Sequence, residues 1–298
     1  IMDENGVSVV VPTVRVSDTT IKSLRSIALA VNYFQGNKEL IIAVDRKLTI
    51  DDFLYVLVKE FSFIKLLETG GSNGSACTRL GAVRLAKYSV IIFTDDDCIV
   101  IVSWVARMYT KVVKYGAVAG NLASMDQKNM YSAIDNYVDQ LRIRDKDSNG
   151  GAKYISFPNF GIKRSCLPKL PFIGLRVNTT EDIDLACRLR LTGISIYFDE
   201  SLIVVTEYPK TFSGLLKRKI KHAQGIAFLR YSLDSKNREF LGLAETPWKM
   251  LLRWSSLSFK APFNFFSRIC MFLANLSYCV ALAYYDKVFN KQNRKELL

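Results

Sequence analysis

The chain has 298 residues, 49% hydrophobic and 23% charged, which excludes a largely disordered protein and allows one large domain or two smaller ones. The formal net charge of +13 indicates an anionic partner, either nucleic acid, a phosphate-bearing substrate or an anionic membrane surface. The six cysteines form no Cys-x-x-Cys pair and are typical of an intracellular protein, and no signal peptide is predicted because the first apolar run has only strand length.

Strands and helices alternate through the first half of the chain. Short apolar, β-branched runs predict strands, and apolar residues at helical spacing predict helices. The predicted strands are 7–13, 39–45, 63–67 and 90–93, and the predicted helices are 21–34, 51–61 and 76–87. This alternation predicts an α/β fold with a Rossmann-like, mostly parallel sheet and helices on both faces.

Carboxylates follow two of these strands. Asp45 comes after the second strand, and Asp95, Asp96 and Asp97 come after the fourth. Because ligands of such sheets bind beyond the carboxyl ends of the strands, these acids and Thr13 are expected to line one crevice. Adjacent carboxylates repel one another unless a cation lies between them, and Mg²⁺ or Mn²⁺ prefers oxygen ligands that it shares with substrate phosphates. A solvated acidic turn is the alternative interpretation.

The second half of the chain has a less regular pattern. A strand at 117–120, a helix at 125–141 and an interrupted strand at 154–162 precede a helix at 180–190 that opens with Glu181 and Asp182. The helix dipole favours acids in a first turn, so capping explains them unless one serves as a base facing the Asp95 cluster. The glycine-rich loop at 70–75 matches no phosphate-binding motif, and Arg79 after it is the better phosphate candidate.

These segments together resemble glycosyltransferase family 2, whose members have the GT-A fold. The resemblance covers roughly residues 7 to 225, in the order and at the separations of the family. It is carried by VVVPT (9–13), IAVD (42–45), NG (73–74) with RLG (79–81), FTDDD (93–97), NFG (159–161) with Arg164, and TEDIDL (180–185) with RL (188–189).

The resemblance implies a UDP- or GDP-sugar donor bound at the strand ends. The donor-binding residues would be Pro12, Thr13, Arg15, Asp45, Arg79, Asp95 and Asp96. Asp97, together with Asp95, would hold a Mg or Mn ion, and Asp182 would be the catalytic base. Candidates for the acceptor or phosphate side are Asn159, Glu181, Arg218, His222 and Gln224, although a surface or capping role is the alternative for the histidine.

Two departures from the family qualify these expectations. Many relatives carry a histidine shortly after the strand that follows the base, where this chain has Thr206 and Glu207, so metal coordination is expected to differ. The Gln-x-x-Arg-Trp motif of processive synthases is absent, and a basic segment at 217–225 stands near its place. Polymer synthesis is therefore disfavoured.

The C-terminal part predicts a membrane-associated helical region, 226–298, after a catalytic domain, 1–225. Residues 269–285 contain no charge, and lysines and arginines flank them. Seventeen helical residues span roughly 26 Å, near the lower limit for crossing a bilayer. An interfacial or re-entrant helix pair on an anionic membrane surface is favoured over a clean span, and a buried core helix is the alternative.

The favoured function is an inverting, metal-dependent glycosyltransferase at the cytoplasmic face of the cell membrane, acting on a hydroxyl or phosphate of a glycan or lipid-linked acceptor. A sugar-nucleotide pyrophosphorylase is one alternative, but the residues after the first strand lack its Gly-rich Lys/Arg signature. A non-catalytic nucleotide-sugar-binding membrane protein is another. Nucleic acid is not expected as a partner, because converging carboxylates would repel a phosphate backbone.

Overall fold

The computed structural model describes residues 4–14, 17–49, 52–71, 74–169 and 180–296. These residues form eight strands, namely β1 (Glu4–Thr13), β2 (Lys38–Val44), β3 (Ile64–Glu68), β4 (Tyr88–Phe93), β5 (Cys98–Ile99), β6 (Ala117–Ser124), β7 (Phe160–Lys163) and β8 (Tyr197–Thr206). Their α-helices are α1 (Asp18–Tyr33), α2 (Phe53–Glu60), α3 (Gly74–Leu85), α4 (Trp104–Tyr115), α5 (Met130–Ile143), α6 (Glu181–Leu191), α7 (Phe212–Ser232), α8 (Ser235–Phe240), α9 (Pro247–Lys260) and α10 (Phe265–Glu296).

The strands form one sheet in the order β3-β2-β1-β4-β7-β6-β8-β5. The first four strands in this order are parallel, and β6 is parallel to β8. Strand β7 runs antiparallel to both of its neighbours, and β5 runs antiparallel to β8. The prediction of a mostly parallel sheet is confirmed, and the carboxyl ends of β1, β2 and β4 lie at one edge of it.

The central strands are buried on both faces, because helices cover the sheet on each side. In β1, Val9 and Val11 pack into a core that includes residues of α1, α2 and α4, whereas Val10 packs into a second core with residues of α3 and α6. Strands β2 and β4 alternate in the same way. Strands that helices cover on both faces have apolar residues at consecutive positions, which is why these segments could be predicted as strands from the sequence.

Close packing of α4 onto the sheet depends on Gly161 in β7. A Cβ atom at this position would lie 2.7 Å from Cγ2 of Val112 and 2.9 Å from Cγ of Met108. Real Cβ contacts are not that short, so a side chain here would push the helix away from the sheet. The glycine therefore lets a large helix residue rest directly on the strand backbone.

The chain folds into two compact units. The first comprises Ile1–Met125, Asp139–Leu175 and Glu181–Glu207 and contains the sheet, and the second comprises Asp126–Val138, Arg176–Thr180 and Tyr208–Leu298. The second unit has its own apolar core, formed by Ile134, Val138, Leu215, Ala261, Cys270, Met271 and Ala274. The boundary predicted after residue 225 lies within α7, and its functional meaning stays a prediction.

Helix α10 is the long apolar helix that the C-terminal sequence predicted. Residues Phe265–Phe289 are long and apolar enough to cross a membrane, and among the described residues this is the one helix that meets that criterion. Within its most apolar window, 39% is buried inside the protein. A core helix passes the same test of length and composition, so α10 by itself does not decide between protein and lipid as its surroundings.

Candidate active site

The carboxyl ends of β1 and β2 carry two of the predicted donor residues. Thr13 is buried, and its hydroxyl donates a hydrogen bond to Asp96. Asp45 is also buried; its Oδ1 accepts from Oγ1 of Thr69 at 3.1 Å, and its Oδ2 accepts from the backbone N–H of Gly74 at 2.9 Å. Gly74 is the first residue of α3, so the carboxylate of Asp45 holds the start of this helix against the strand ends. Pro12 is buried within β1.

The three aspartates after β4 point to three different partners. Asp95 accepts from Nη2 of Arg79 at 2.5 Å, and Asp96 accepts from Thr13. Oδ1 of Asp97 accepts from the Thr206 hydroxyl at 3.3 Å and lies 3.5 Å from the Cys98 thiol. The cluster is therefore held apart by side chains from β1, α3, β5 and β8.

Arg79 on α3 connects the strand-end acids with the start of α6. Its guanidinium is buried and also donates from Nη1 to Oε1 of Glu181 at 2.6 Å, while it stacks 4.6 Å from the ring centre of Phe157. Burial works against its charge, but Asp95 and Glu181 outweigh burial and raise the pKa of Arg79 further. The planar, delocalised guanidinium suits this role because it can satisfy two carboxylates and an aromatic face at once.

The predicted base, Asp182, lies in the first turn of α6. It is half-buried, and its Oδ1 accepts from the backbone N–H of Ile183 at 2.8 Å. Burial raises the pKa of Asp182 to about 6, with a further upward contribution from Glu181, while Arg142 opposes the rise. Glu181 itself is buried and accepts from Ser75 at 2.5 Å as well as from Arg79. The two acids thus differ: Glu181 is engaged by donors, and Asp182 has the pKa of a usable base.

The residues after β4 fit a divalent cation by their charge. Burial, together with the charges of Asp95 and Asp96, raises the pKa of Asp97 to about 7, and burial raises that of Asp96 to about 6 despite the hydrogen bond from Thr13. Carboxyls with such raised pKa values keep their protons more readily than exposed ones, and a nearby cation would favour their ionised form. Within the described ranges, however, no three His, Cys, Asp or Glu side chains are grouped as a complete metal site. A cation that takes one or two protein carboxylates and completes its shell with phosphate oxygens and water fits this set.

Asn159 occupies a scaffold position. It is fully buried; its Oδ1 accepts from Nε1 of Trp104 at 3.0 Å, and its Nδ2 donates to the carbonyls of Asn121 at 2.8 Å and Leu202 at 2.9 Å. These bonds join α4, β6 and β8 at the start of β7. Its amide groups are thus used by the fold, and its contacts lend no support to the predicted place on the acceptor side.

Three further candidates lie on α7 in the second unit. Arg218 pairs with the buried Asp135 at 3.3 Å and lies 5.0 Å from the ring centre of Tyr208. His222 and Gln224 are partly exposed on the same helix. The remaining candidate, Arg15, lies outside the described residues, as does Asn73 of the glycine-rich motif.

Sequence reasoning missed several residues that hold the site. Thr69, Ser75, Phe157 and Thr206 contact Asp45, Glu181, Arg79 and Asp97, respectively, and Arg142 acts on Asp182 through its charge. The usable signal was position, since Thr206 ends a strand as Thr13 does. It also stands in the segment where the resemblance led us to expect altered metal coordination.

Comparison with known families decides the classification. The model of glycosyl transferase family 2 matches residues 8–170, and that of glycosyl transferase family group 2 matches residues 91–285. Each match covers more than half of the chain. The chain belongs to glycosyl transferase family 2. The predicted family is thereby confirmed, and the chain carries a glycosyltransferase domain.

A curated relative of this family 2 chain is poly-beta-1,6-N-acetyl-D-glucosamine synthase of Staphylococcus aureus (strain COL). It is 26% identical over 216 residues, which are 69% of this chain and 51% of the relative. The same enzyme from strain N315 matches equally well. The chain therefore spans about half the length of the curated relatives that it matches.

Solved structures confirm the GT-A fold. The mannosyltransferase PcManGT from Pyrobaculum calidifontis, in complex with GDP-Man and Mn²⁺, superposes with a TM-score of 0.68 at 16% identity, covering 95% of this chain and 87% of its own. TarS of S. aureus, residues 1–349, superposes with a TM-score of 0.55 at 14% identity, covering 98% of this chain and 92% of its own. TarS is also known in complex with UDP. At these identities the likeness concerns the fold.

Proposed function

We propose that this protein is an inverting, metal-dependent glycosyltransferase that moves a sugar from a UDP- or GDP-sugar to a hydroxyl or phosphate of a membrane-near acceptor. The observation that carries the proposal is the chain of contacts from Asp95 through Arg79 to Glu181. It ties Asp95, the neighbour of the high-pKa carboxyls of Asp96 and Asp97, to the helix turn that bears Asp182. Donor-side acids and a candidate base are thus held in one buried network.

The donor would bind along the strand ends. Thr13, Asp45 and the Asp95–Asp96 pair lie at the edge of the sheet where such folds take nucleotides. Asp97, with Asp95, would hold a Mg²⁺ or Mn²⁺ ion, which would neutralise the charge that develops on the leaving diphosphate. Support for this assignment comes from the raised pKa of Asp97, because a buried carboxyl with unneutralised charge gains most from a cation.

Asp182 would take the proton of the acceptor during attack. A hydroxyl is a weak nucleophile until a base accepts its proton, and a carboxyl with a pKa of about 6 is mostly ionised at neutral pH. One base and a direct displacement lead to inversion at the anomeric carbon. A covalent enzyme intermediate is not required, which is consistent with the hydrogen bonding of Glu181 to Ser75 and Arg79.

The acceptor would be a glycan or a lipid-linked sugar at the cytoplasmic face of the cell membrane. The curated relative is a polysaccharide synthase, which supports a glycan acceptor. The net charge of +13 and the apolar helix α10 support an anionic membrane surface as partner. Arg218, His222 and Gln224 on α7 are the candidates for the phosphate or acceptor side.

The test is a panel of UDP- and GDP-sugars, scored for thermal stabilisation and for hydrolysis with and without Mn²⁺. One donor should stabilise the protein, and both readouts should require the metal. Asp97→Asn should abolish metal-dependent binding, while Asp18→Asn, a surface carboxylate on α1, serves as the matched control. Stabilisation without turnover on any acceptor would indicate a non-catalytic binder and would overturn the proposal.

A further inference from the structure

Helix α9 presents an apolar stripe to solvent. With 3.6 residues per turn, Trp248, Leu252 and Phe259 fall within a narrow sector of the helix surface. Their side chains are 67%, 74% and 48% exposed, respectively. Large apolar side chains exposed together on one helix face mark an interaction surface, whereas scattered ones do not. Phe265 and Phe266, at the start of the next helix α10, are exposed as well.

A basic stripe runs beside the apolar one. Lys249, Arg253 and Lys260 are exposed, and helical geometry places them together on the adjoining sector of α9. The helix contains no acidic residue. Arg253 pairs with Glu245 at 2.7 Å, and no ion pair of Lys249 or Lys260 is found within the part of the chain that the structure describes. The stripe therefore keeps a positive charge.

The two stripes together restrict what could cover this face. A second copy of the chain packed antiparallel on this face would bring its own lysines against these lysines, and like charges brought together repel. A lipid surface with anionic headgroups suits both stripes at once. The apolar side chains would be buried among the acyl chains, and the lysines would pair with the headgroups. Tryptophan, phenylalanine and leucine are also typical of the apolar face of helices that lie at such boundaries.

We propose that α9 is an in-plane anchor that binds an anionic lipid surface through these two stripes. Its 14 residues span about 21 Å, which is too short to cross a hydrocarbon core of about 30 Å, so the helix would lie along the interface. The inference deepens the proposed function by naming the surface that meets the membrane. Lipid binding does not depend on donor turnover, so the two proposals can fail separately.

The first experiment measures co-flotation of the full chain with vesicles. Vesicles of equal parts phosphatidylcholine and phosphatidylglycerol are compared with vesicles of phosphatidylcholine alone. Binding should require phosphatidylglycerol and should weaken as salt is raised. Lys249→Ser with Lys260→Ser should lower the partition coefficient by about 25-fold, since each basic residue near such a surface contributes about fivefold. Leu252→Ser should lower it at unchanged net charge.

The matched control replaces an apolar and a basic residue that are also exposed, on another helix. Val56 and Lys59 are exposed on α2, and Val56→Ser with Lys59→Ser should leave flotation unchanged. Because all of these side chains are exposed, the variants should keep the wild-type circular dichroism. Donor-dependent stabilisation in solution should also persist, which separates a failure of lipid binding from a failure of the active site.

The second experiment locates the helix by fluorescence. Trp248 is largely exposed, whereas Trp104 is buried in the first unit and provides an unquenched reference. The third tryptophan, Trp254, is half-buried on α9 and packs against the core of the second unit. Lipids brominated on their acyl chains should quench the wild-type protein, and Trp248→Phe should remove most of that quenching. Flotation that persists unchanged in the Leu252 and lysine variants, with Trp248 unquenched, would overturn the anchor. Loss of a dimer in solution on Leu252→Ser would instead identify this face as a contact between copies, and would overturn it equally.

Discussion

The assignment of Asp182 as the base predicts a specific pH dependence. With a pKa of about 6, the carboxyl is about nine-tenths ionised at pH 7 and about one-tenth ionised at pH 5. The base must be ionised, so kcat/KM should rise about tenfold between these two values and reach a plateau above about pH 7. An ordinary aspartate would give a midpoint near pH 4 and almost no change over this range.

Two variants test whether this rise of kcat/KM with pH is due to the ionisation of Asp182. Asp182→Asn keeps the shape of the side chain but cannot accept a proton. The plateau value of kcat/KM should therefore fall by about a hundredfold or more, and its rise between about pH 5 and about pH 7 should disappear. Arg142 lowers the pKa of Asp182, so Arg142→Gln should move the midpoint to higher pH. A general loss of folding would not produce that upward displacement.

The assay must separate the base from the acids of the metal site, because Asp96 and Asp97 have pKa values of about 6 and 7. Initial rates are therefore measured at saturating Mn²⁺ at each pH, and Mn²⁺ affinity is measured independently by calorimetry. Asp182→Asn should keep the pH dependence of Mn²⁺ affinity while losing that of turnover. If turnover of Asp182→Asn still rises between about pH 5 and about pH 7 at saturating Mn²⁺, Asp182 is not the base.

Three further outcomes are expected. Mn²⁺ affinity without donor should rise between about pH 6 and pH 8, because the ion must displace the proton of Asp97, and calorimetry should detect proton release. Arg79→Met should destabilise the fold by about 3–5 kcal/mol in denaturant titrations, whereas Arg25→Met, which breaks an exposed pair, should cost less than about 1 kcal/mol. Gly161→Ala should cost about 1–3 kcal/mol of unfolding free energy through its clash with Val112, and an unchanged melting temperature would contradict that packing argument.

The sequence predicts the strands that are buried on both faces, because such burial requires a continuous run of apolar residues. Strands β1, β2 and β4 carry that signal, and their predicted positions agree with the structure. Strand β5 has only two residues, so no periodicity can reveal it. Helix α4 shows the apolar spacing of a helix at Trp104, Met108 and Val112, and its pattern was available but not interpreted. Strand β5 therefore depends on contacts that a local pattern does not contain, whereas α4 does not.

The site could be predicted in its residues but not in its contacts. Separate strand ends and one helix start pointed to Thr13, Asp45, Asp95 and Asp182. The partners of these acids lie far away in sequence: Thr206 and Asp97 are 109 positions apart. A spacing argument cannot pair residues over that distance. It also cannot show that an amide inside a recognised motif is consumed by the scaffold, as happens at Asn159.

The reversed direction of β7 has a consequence for where this chain can be lengthened. In a parallel sheet, loops that leave the strands meet the ligand, and loops that enter them lie at the opposite edge. Strand β7 inverts this rule: Phe160 pairs with Phe93 at the end of β4, so residues 157–159 reach the site on their way into the sheet. Arg164, after the strand, contacts the carbonyls of Ala86 and Tyr88 at the other edge. Extra residues should be harmful before β7 and tolerated soon after it, the reverse of the pattern at β1, β2 and β4.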